Sequence, residues 1–264
     1  MTQQYAVITG ASMGLGLAYA KELSSRSINT ILVGLEDEGL AETCEQLKTE
    51  FSIDSVFFET DLTVLENIES VAKQINDKYS VFMLINNAGL GGTKRFTDAN
   101  IGYLDSIIQL NVRATAMVTH QLLPNLLKRE KAFVLNVSSI AAFSPIGFKT
   151  VYPASKAFID HFTRGLSREL SKTNVTVSLV SPGPMLTSQE KIDRLAKQGW
   201  LGQLVALTPQ KVAQVSVHQL LKGDTAIVLN AFNLLNLLLM RFVSRRYITW
   251  RVRQELETGS TEEK

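Results

Sequence analysis

Short β-branched runs alternate with longer stretches of helical periodicity along most of the chain. The strand-like runs are Tyr5–Thr9, Thr30–Gly34, Ser55–Glu59, Phe82–Asn86, Ala132–Val137, Thr176–Val180 and Ala226–Leu229. Between them, the spacing of apolar positions predicts helices over Gly14–Ser25, Glu38–Glu50, Val64–Lys78, Tyr103–Lys128 and Val151–Ser171. The strand runs are apolar almost throughout, as in strands buried on both faces. Repeated strand–helix alternation then predicts a parallel sheet of seven strands covered by helices on both sides, a doubly wound α/β fold. No repeat or long linker divides the chain, so one domain over residues 1–264 is expected. Two stretches break the rhythm. Residues 185–207 carry Ile192, Leu195, Trp200 and Leu201 among polar neighbours, either as a lid over a hydrophobic substrate or as core packing. Residues 231–264 begin apolar, continue through Arg245, Arg246, Arg251 and Arg253, and end in a polar tail.

Composition narrows the classes. With 264 residues, 45% of them hydrophobic and 20% charged, the chain can bury a full core. A net charge of +2 and no stacking pattern of aromatics give no reason to expect a nucleic-acid partner. The lone Cys44 rules out an intramolecular disulfide framework and suits a reducing compartment. The first residues lack the pattern of a signal peptide, and no run of about 18 uninterrupted apolar residues exists, so a cytoplasmic location is expected. The closest approach, Ala226 to Val243, is broken by Asn230, Asn233, Asn236 and Arg241. The apolar and basic C-terminal segment could cover a substrate entrance, form a subunit contact, touch an anionic membrane surface peripherally, or be a solvated face over a core helix.

Candidate chemistry begins after the first strand. Gly10, Gly14 and Gly16 frame a turn with Ser12, Met13 and Leu15 that opens the first helix. Glycines there allow a tight turn, backbone approach to a pyrophosphate and close helix–sheet packing, with the positive helix end facing the phosphate. The spacing, Gly-x3-Gly-x-Gly, differs from the common dinucleotide fingerprint, but its place between strand and helix predicts a Rossmann-type nucleotide site. After the second strand stand Leu35 and Glu36, where an acid would hold a ribose 2′-hydroxyl and repel a 2′-phosphate. NAD(H) is therefore favoured over NADP(H). Asp37 and Glu38 fit equally well as acids at the start of the next helix.

Tyr152 and Lys156 are four apart in a predicted helix, which puts both on one face. An ammonium beside a phenol is expected to lower the phenol pKa and equip it for proton transfer to or from a substrate oxygen. Such a pair arises by chance on the order of one time in three in a chain of this composition. Ser139 follows the fifth strand, where it could polarise a substrate oxygen or merely form a turn. Asn111 is a poor helix former in mid-helix, either special or simply exposed.

Together these motifs make the chain resemble the short-chain dehydrogenase/reductase family across roughly residues 4–230, nearest to DltE-like, ketoacyl- and hydroxysteroid-type reductases. Thr9–Gly16 matches the cofactor turn, Asn86-Asn87-Ala88-Gly89 a second motif, and Asn111, Ser139, Tyr152 and Lys156 a catalytic tetrad. Pro182-Gly183 matches the motif after the sixth strand. The resemblance implies that Asn111 holds a water linking Lys156 to solvent and that Asn87 steadies the sheet. It implies that Asp61, next to Leu62, meets the adenine, that Lys156 bonds the cofactor ribose, and that Thr187 contacts the nicotinamide amide. It also implies an NAD(P)(H)-dependent oxidoreductase of small carbonyl or alcohol substrates, working as a homodimer or homotetramer. The branch commonly carries arginines where this chain has Leu35 and Glu36. A non-catalytic redox sensor of the same fold, or a membrane-surface module using the C-terminal basic segment, are the alternative functions.

Overall fold

The computed structural model describes residues 3–183, 185, 207–229, 250, 253 and 254. Seven strands form one parallel sheet: β1 (Gln4–Thr9), β2 (Asn29–Gly34), β3 (Ser55–Glu59), β4 (Ser80–Asn86), β5 (Ala132–Val137), β6 (Val175–Val180) and β7 (Ala226–Ile227). Their order is β3-β2-β1-β4-β5-β6-β7. The chain winds outward from β1 in one direction, then returns beside β1 with β4 and winds the other way. The carboxyl ends of β1 and β4 therefore flank the crevice where open α/β sheets bind ligands.

The helices are α1 (Gly14–Ser24), α2 (Leu40–Phe51), α3 (Leu65–Lys78), α4 (Ile101–Ile108), α5 (Thr115–Leu126), α6 (Val151–Glu169) and α7 (Pro209–Lys222). Two cores result, one on each face of the sheet. Leu15, Tyr19 and Leu23 of α1 pack with Leu40 and Leu47 of α2 and Val217 and Leu220 of α7 on one side. Ile68 and Ile75 of α3 and Val118 and Leu122 of α5 fill the other. Cys44 lies in the first core with the Ser55 hydroxyl 3.3 Å from its sulfur. Burial raises its thiol pKa, the condition of an inert cysteine.

Three elements differ from the sequence reading. The single helix expected over Tyr103–Lys128 is α4 and α5 joined by a π-type turn at Gln109–Ala114, which shifts the helix phase around Asn111. The last strand closes after Ile227. Helix α7 was not anticipated, although its ends are written plainly. Thr208 accepts the Lys211 N–H at 3.2 Å as an N-cap, Pro209 follows at the first helical position, and Gly223 ends the helix at φ 94°. Among the described residues, no helix is long and apolar enough to cross a membrane.

A buried polar ladder crosses the sheet below the crevice. Asn86 of β4 and Asn136 of β5 are register partners, and the Asn86 amide donates to Asn136 Oδ1 at 2.8 Å. The same amide reaches Thr119 Oγ1 of α5 at 2.8 Å, and Asn136 donates to Thr163 Oγ1 of α6 at 2.9 Å. The ladder ties the two helices that flank the site to the two central strands. Replacing Asn136 by Ala strands polar atoms on both neighbours. Urea unfolding should show a loss of about 1–3 kcal/mol; a variant as stable as the parent would exclude the ladder as a structural tie.

Candidate active site

The glycine turn is fitted for an anion. Gly10 and Gly14 have φ of 63° and 58°, in the left-handed region that favours glycine. A side chain on Gly16 would lie 1.8 Å from the Gly10 carbonyl, so only hydrogen fits. Gly14 faces open space, with no atom within 4 Å of where its Cβ would stand. No side chain caps α1 at Met13, and no acid sits in its first turn. The positive end of the helix is thus left for a ligand, and a cofactor pyrophosphate fits that vacancy of partners.

The end of β4 locks onto this turn. Asn87 donates its side-chain amide to the carbonyls of Thr9 and Gly10, both at 3.0 Å. The backbone N–H groups of Asn87 and Ala88 both donate to Thr9 Oγ1, at 3.0 and 3.1 Å. At the end of β2, Leu35 and Glu36 are exposed. Glu38 turns back to accept a hydrogen bond from the Ser12 hydroxyl, so a carboxylate stands against the phosphate turn itself. At the end of β3, Asp61 is exposed and accepts the Thr63 N–H at 2.8 Å, while Leu62 is buried. At the end of β6, the Pro182 carbonyl accepts the Ile140 N–H at 3.0 Å, with Gly183 half-buried beyond it. Thr187 lies outside the described residues, as do those between Met185 and Leu207, which pair with each other in a short bridge.

Ser139, Tyr152 and Lys156 come together at the end of β5. Ser139 opens a 3-10 turn at Ile140–Phe143 and accepts the Ala141 N–H at 3.1 Å. Its hydroxyl lies close enough to the Tyr152 phenol to favour the phenolate. The Lys156 ammonium lies 5.9 Å from the centre of the Tyr152 ring and donates to the Val137 carbonyl at 2.9 Å. The expected lowering of the phenol pKa is not what this geometry produces. Burial raises the Tyr152 pKa, with the nearby Ser139 hydroxyl opposing it. Lys156 is itself buried, and loss of solvation lowers its pKa to about 8.

Asn111 is fully buried, which removes the reading of an exposed helical asparagine. Its side chain brackets Leu90, accepting the Leu90 N–H at 2.8 Å and donating to the Leu90 carbonyl at 2.9 Å. It donates also to Ser155 Oγ at 2.9 Å. The π-type turn thereby ties the loop after β4 to α6 one residue before Lys156. These bonds use both amide N–H groups of the side chain and one of the two lone pairs of its oxygen.

Sequence reading passed over the loop that follows Gly89. A Cβ on Gly91 would stand 3.0 Å from Tyr152 Cε2, and one on Gly92 would stand 2.3 Å from Tyr103 Oη. The paired glycines were the available signal: the backbone must pass close to both rings. Ser138, which donates to the Lys156 carbonyl at 2.9 Å, had no signal beyond its place before Ser139.

Two outcomes follow from this packing. Gly91→Ala should push the Tyr152 ring aside by a few tenths of an ångström and lower kcat on the order of tenfold, with cofactor affinity and unfolding midpoint near those of the parent. Unchanged kcat would show that the ring has slack. Lys156 keeps its proton to an ordinary pKa of 10.5 when unfolded but only to about 8 when folded. Between those values the unfolded cofactor-free chain holds the extra proton, so this group makes stability rise with pH, by about 1.4 kcal/mol per unit. Urea unfolding from pH 8 to 10 should show the parent gaining on Lys156→Met; parallel curves would contradict the buried amine.

Comparison with known proteins agrees with this geometry. The family model for short chain dehydrogenases matches residues 4–199. An uncharacterized oxidoreductase of Staphylococcus epidermidis is 33% identical over 220 residues, covering 83% of this chain and 91% of the relative. A very-long-chain 3-oxoacyl-CoA reductase of Anas platyrhynchos is 31% identical over 194 residues, 72% of this chain and 62% of that one. A solved 7β-hydroxysteroid dehydrogenase shares the fold with a TM-score of 0.84 at 20% identity, over 96% of this chain and 99% of that one. The chain belongs to the short-chain dehydrogenase family and is a nicotinamide-dependent oxidoreductase of alcohols and ketones.

Proposed function

We propose that this chain transfers hydride between a nicotinamide cofactor and the carbonyl or secondary alcohol of a small, largely apolar substrate, with Tyr152 moving the proton. The observation that carries the reading is the meeting of the Tyr152 phenol with the Ser139 hydroxyl, with the Lys156 amine one helical turn away. The cofactor, when bound, supplies the hydride chemistry. Gly10, Ser12, Met13, Gly14, Leu15 and Gly16 would cradle its pyrophosphate. Leu35, Glu36, Asp61 and Leu62 would border its adenosine half, and Asn87, Ala88, Gly89, Pro182, Gly183 and Thr187 its nicotinamide half.

The chain's own residues then have separate tasks. Tyr152 carries its proton at neutral pH, because burial raises its pKa, and that is the form needed to donate to a carbonyl oxygen. Ser139 can share a hydrogen bond between that oxygen and the phenol, opposing the charge that develops on each. Lys156 supports the departing proton by its positive charge and can reach a cofactor ribose. Asn111 acts as a brace, fixing Leu90 and Ser155 around Lys156.

NAD(H) is the proposed preference. Glu36 at the end of β2 and the Glu38 carboxylate against Ser12 would both repel a 2′-phosphate. An apolar ketone is supported by Phe96, Leu104, Ile107 and Val151, which line a cleft ending at Tyr152. The 3-oxoacyl-CoA reductase and hydroxysteroid dehydrogenase among its similar proteins support the same substrate class. A homodimer or homotetramer belongs to this reading, favoured by the stacked Phe158 and Phe162 rings, 5.8 Å apart on α6.

The test is a panel of ketones and alcohols followed by nicotinamide absorbance, with NADH and NADPH in parallel. Ketone reduction should proceed with a higher kcat/KM for NADH. Tyr152→Phe should lower kcat by about 10²–10⁴ while cofactor binding, read by fluorescence, persists. Near-normal turnover in that variant would sink the mechanism, and an NADPH preference would sink the cofactor assignment.

A further inference from the structure

The cleft that Tyr152 lines is also bordered by Tyr103, Phe148, Lys94 and Lys149. Its outer rim is strongly cationic. Arg95 and Arg253 each bring a guanidinium carbon to 5.6 Å from the centre of the Phe148 ring. The Lys94 ammonium stands 5.4 Å from the centre of the Tyr103 ring. Three cations thus gather around two aromatic rings, with Lys149 lining the cleft beside them. Among the described residues, the carboxylate in ion-pair reach of this rim is Asp98, 3.9 Å from Arg95. That pair is open to water on both sides and neutralises little.

Phe148 adds a second, independent feature. Its φ is +66°, in the left-handed region that a bulky side chain rarely adopts. The Lys94 N–H holds its carbonyl at 2.7 Å. A strained aromatic that collects arginines at the mouth of a reaction cleft is the kind of feature that functional sites retain. Like charges brought together in this way repel, and an anion between them relieves the repulsion. Guanidinium groups suit phosphate and carboxylate in particular, because their N–H forks meet two oxygens at once.

We propose that this rim binds an anionic group, phosphate or carboxylate, carried by the substrate itself. The substrate is then a carbonyl compound with an apolar middle, which passes Phe96, Leu104 and Ile107, and an anionic end, which stays at the rim. That the bound molecule is a substrate rests on the role proposed for Tyr152; the anion site does not.

Matched ketones test the site on the full-length chain. One pair is 4-acetylphenyl phosphate and 4-methoxyacetophenone; the other is 4-acetylbenzoate and its methyl ester. In each pair the anionic member should have a kcat/KM at least about tenfold higher at low salt, with the advantage shrinking as salt rises. In the Arg95→Gln/Lys149→Gln variant the two members should be handled alike. Calorimetric titration of the same pairs into Tyr152→Phe reads binding without turnover, and the anionic member should bind at least about tenfold tighter. A phosphate advantage without a carboxylate advantage, or the reverse, identifies which anion the rim takes. Equal binding within both pairs overturns the inference. Anion-selective binding with no turnover of any ketone supports the rim and instead overturns the reaction proposed for Tyr152.

Discussion

The Asn87 side-chain amide, donating to the carbonyls of Thr9 and Gly10, joins the phosphate turn to the strand that follows the reversal of the sheet. Much of the site is arranged around that junction. It requires two backbones to approach so closely that a Cβ on Gly10 would stand 2.9 Å from Ala88 Cα. With the junction closed, the uncapped end of α1 faces the crevice, and the loop after β4 is launched toward α6. The glycines and the asparagine form one constraint: without the glycines the strands could not meet, and without the amide the turn carbonyls would lack these donors.

A second level of order rests on buried polar groups rather than on apolar packing. The ladder from Thr119 through Asn86 and Asn136 to Thr163 holds α5 and α6 against the centre of the sheet. Above it, Asn111 reaches Leu90 and Ser155, and Ser138 reaches the Lys156 carbonyl. Apolar contacts are non-directional and tolerate sliding, whereas each of these bonds is lost over a fraction of an ångström. Such bonds suit a site whose chemistry needs a phenol, a hydroxyl and an amine at set separations. They also give the π-type turn a physical role, because it brings Asn111 inward where a regular helix would have carried a different phase.

Electrostatics in the site follow from burial. The Tyr152 phenol and the Lys156 amine are each pushed toward their neutral forms by loss of water, the phenol upward and the amine downward. The two shifts move the values apart, and the amine, at about 8, is the one brought near physiological pH. The charged groups, by contrast, are kept at the edges: Glu36 and Glu38 beyond β2, and Lys94, Arg95 and Lys149 around Phe148 and Tyr103. The two ends of the crevice thus differ in sign, negative beyond β2 and positive around Phe148.

Strand positions, helix positions and the parallel sheet were legible in the sequence because they depend on local periodicity, and both buried strands and amphipathic helices write that period into their residues. The glycine turn and the spacing of Asn111, Ser139, Tyr152 and Lys156 were legible too, because ordered motifs survive as spacings along the chain. Helix α7 was equally visible in Thr208, Pro209 and Gly223, between the sixth and seventh strands. Only the tertiary structure decided the direction of the Tyr152 pKa, the partners of Asn111, the close passage of Gly91 under the Tyr152 ring and the gathering of Arg95 and Arg253 on Phe148. These depend on solvent exclusion and on contacts between residues distant in sequence. Periodicity says which face of an element is buried; it does not say what lies against that face.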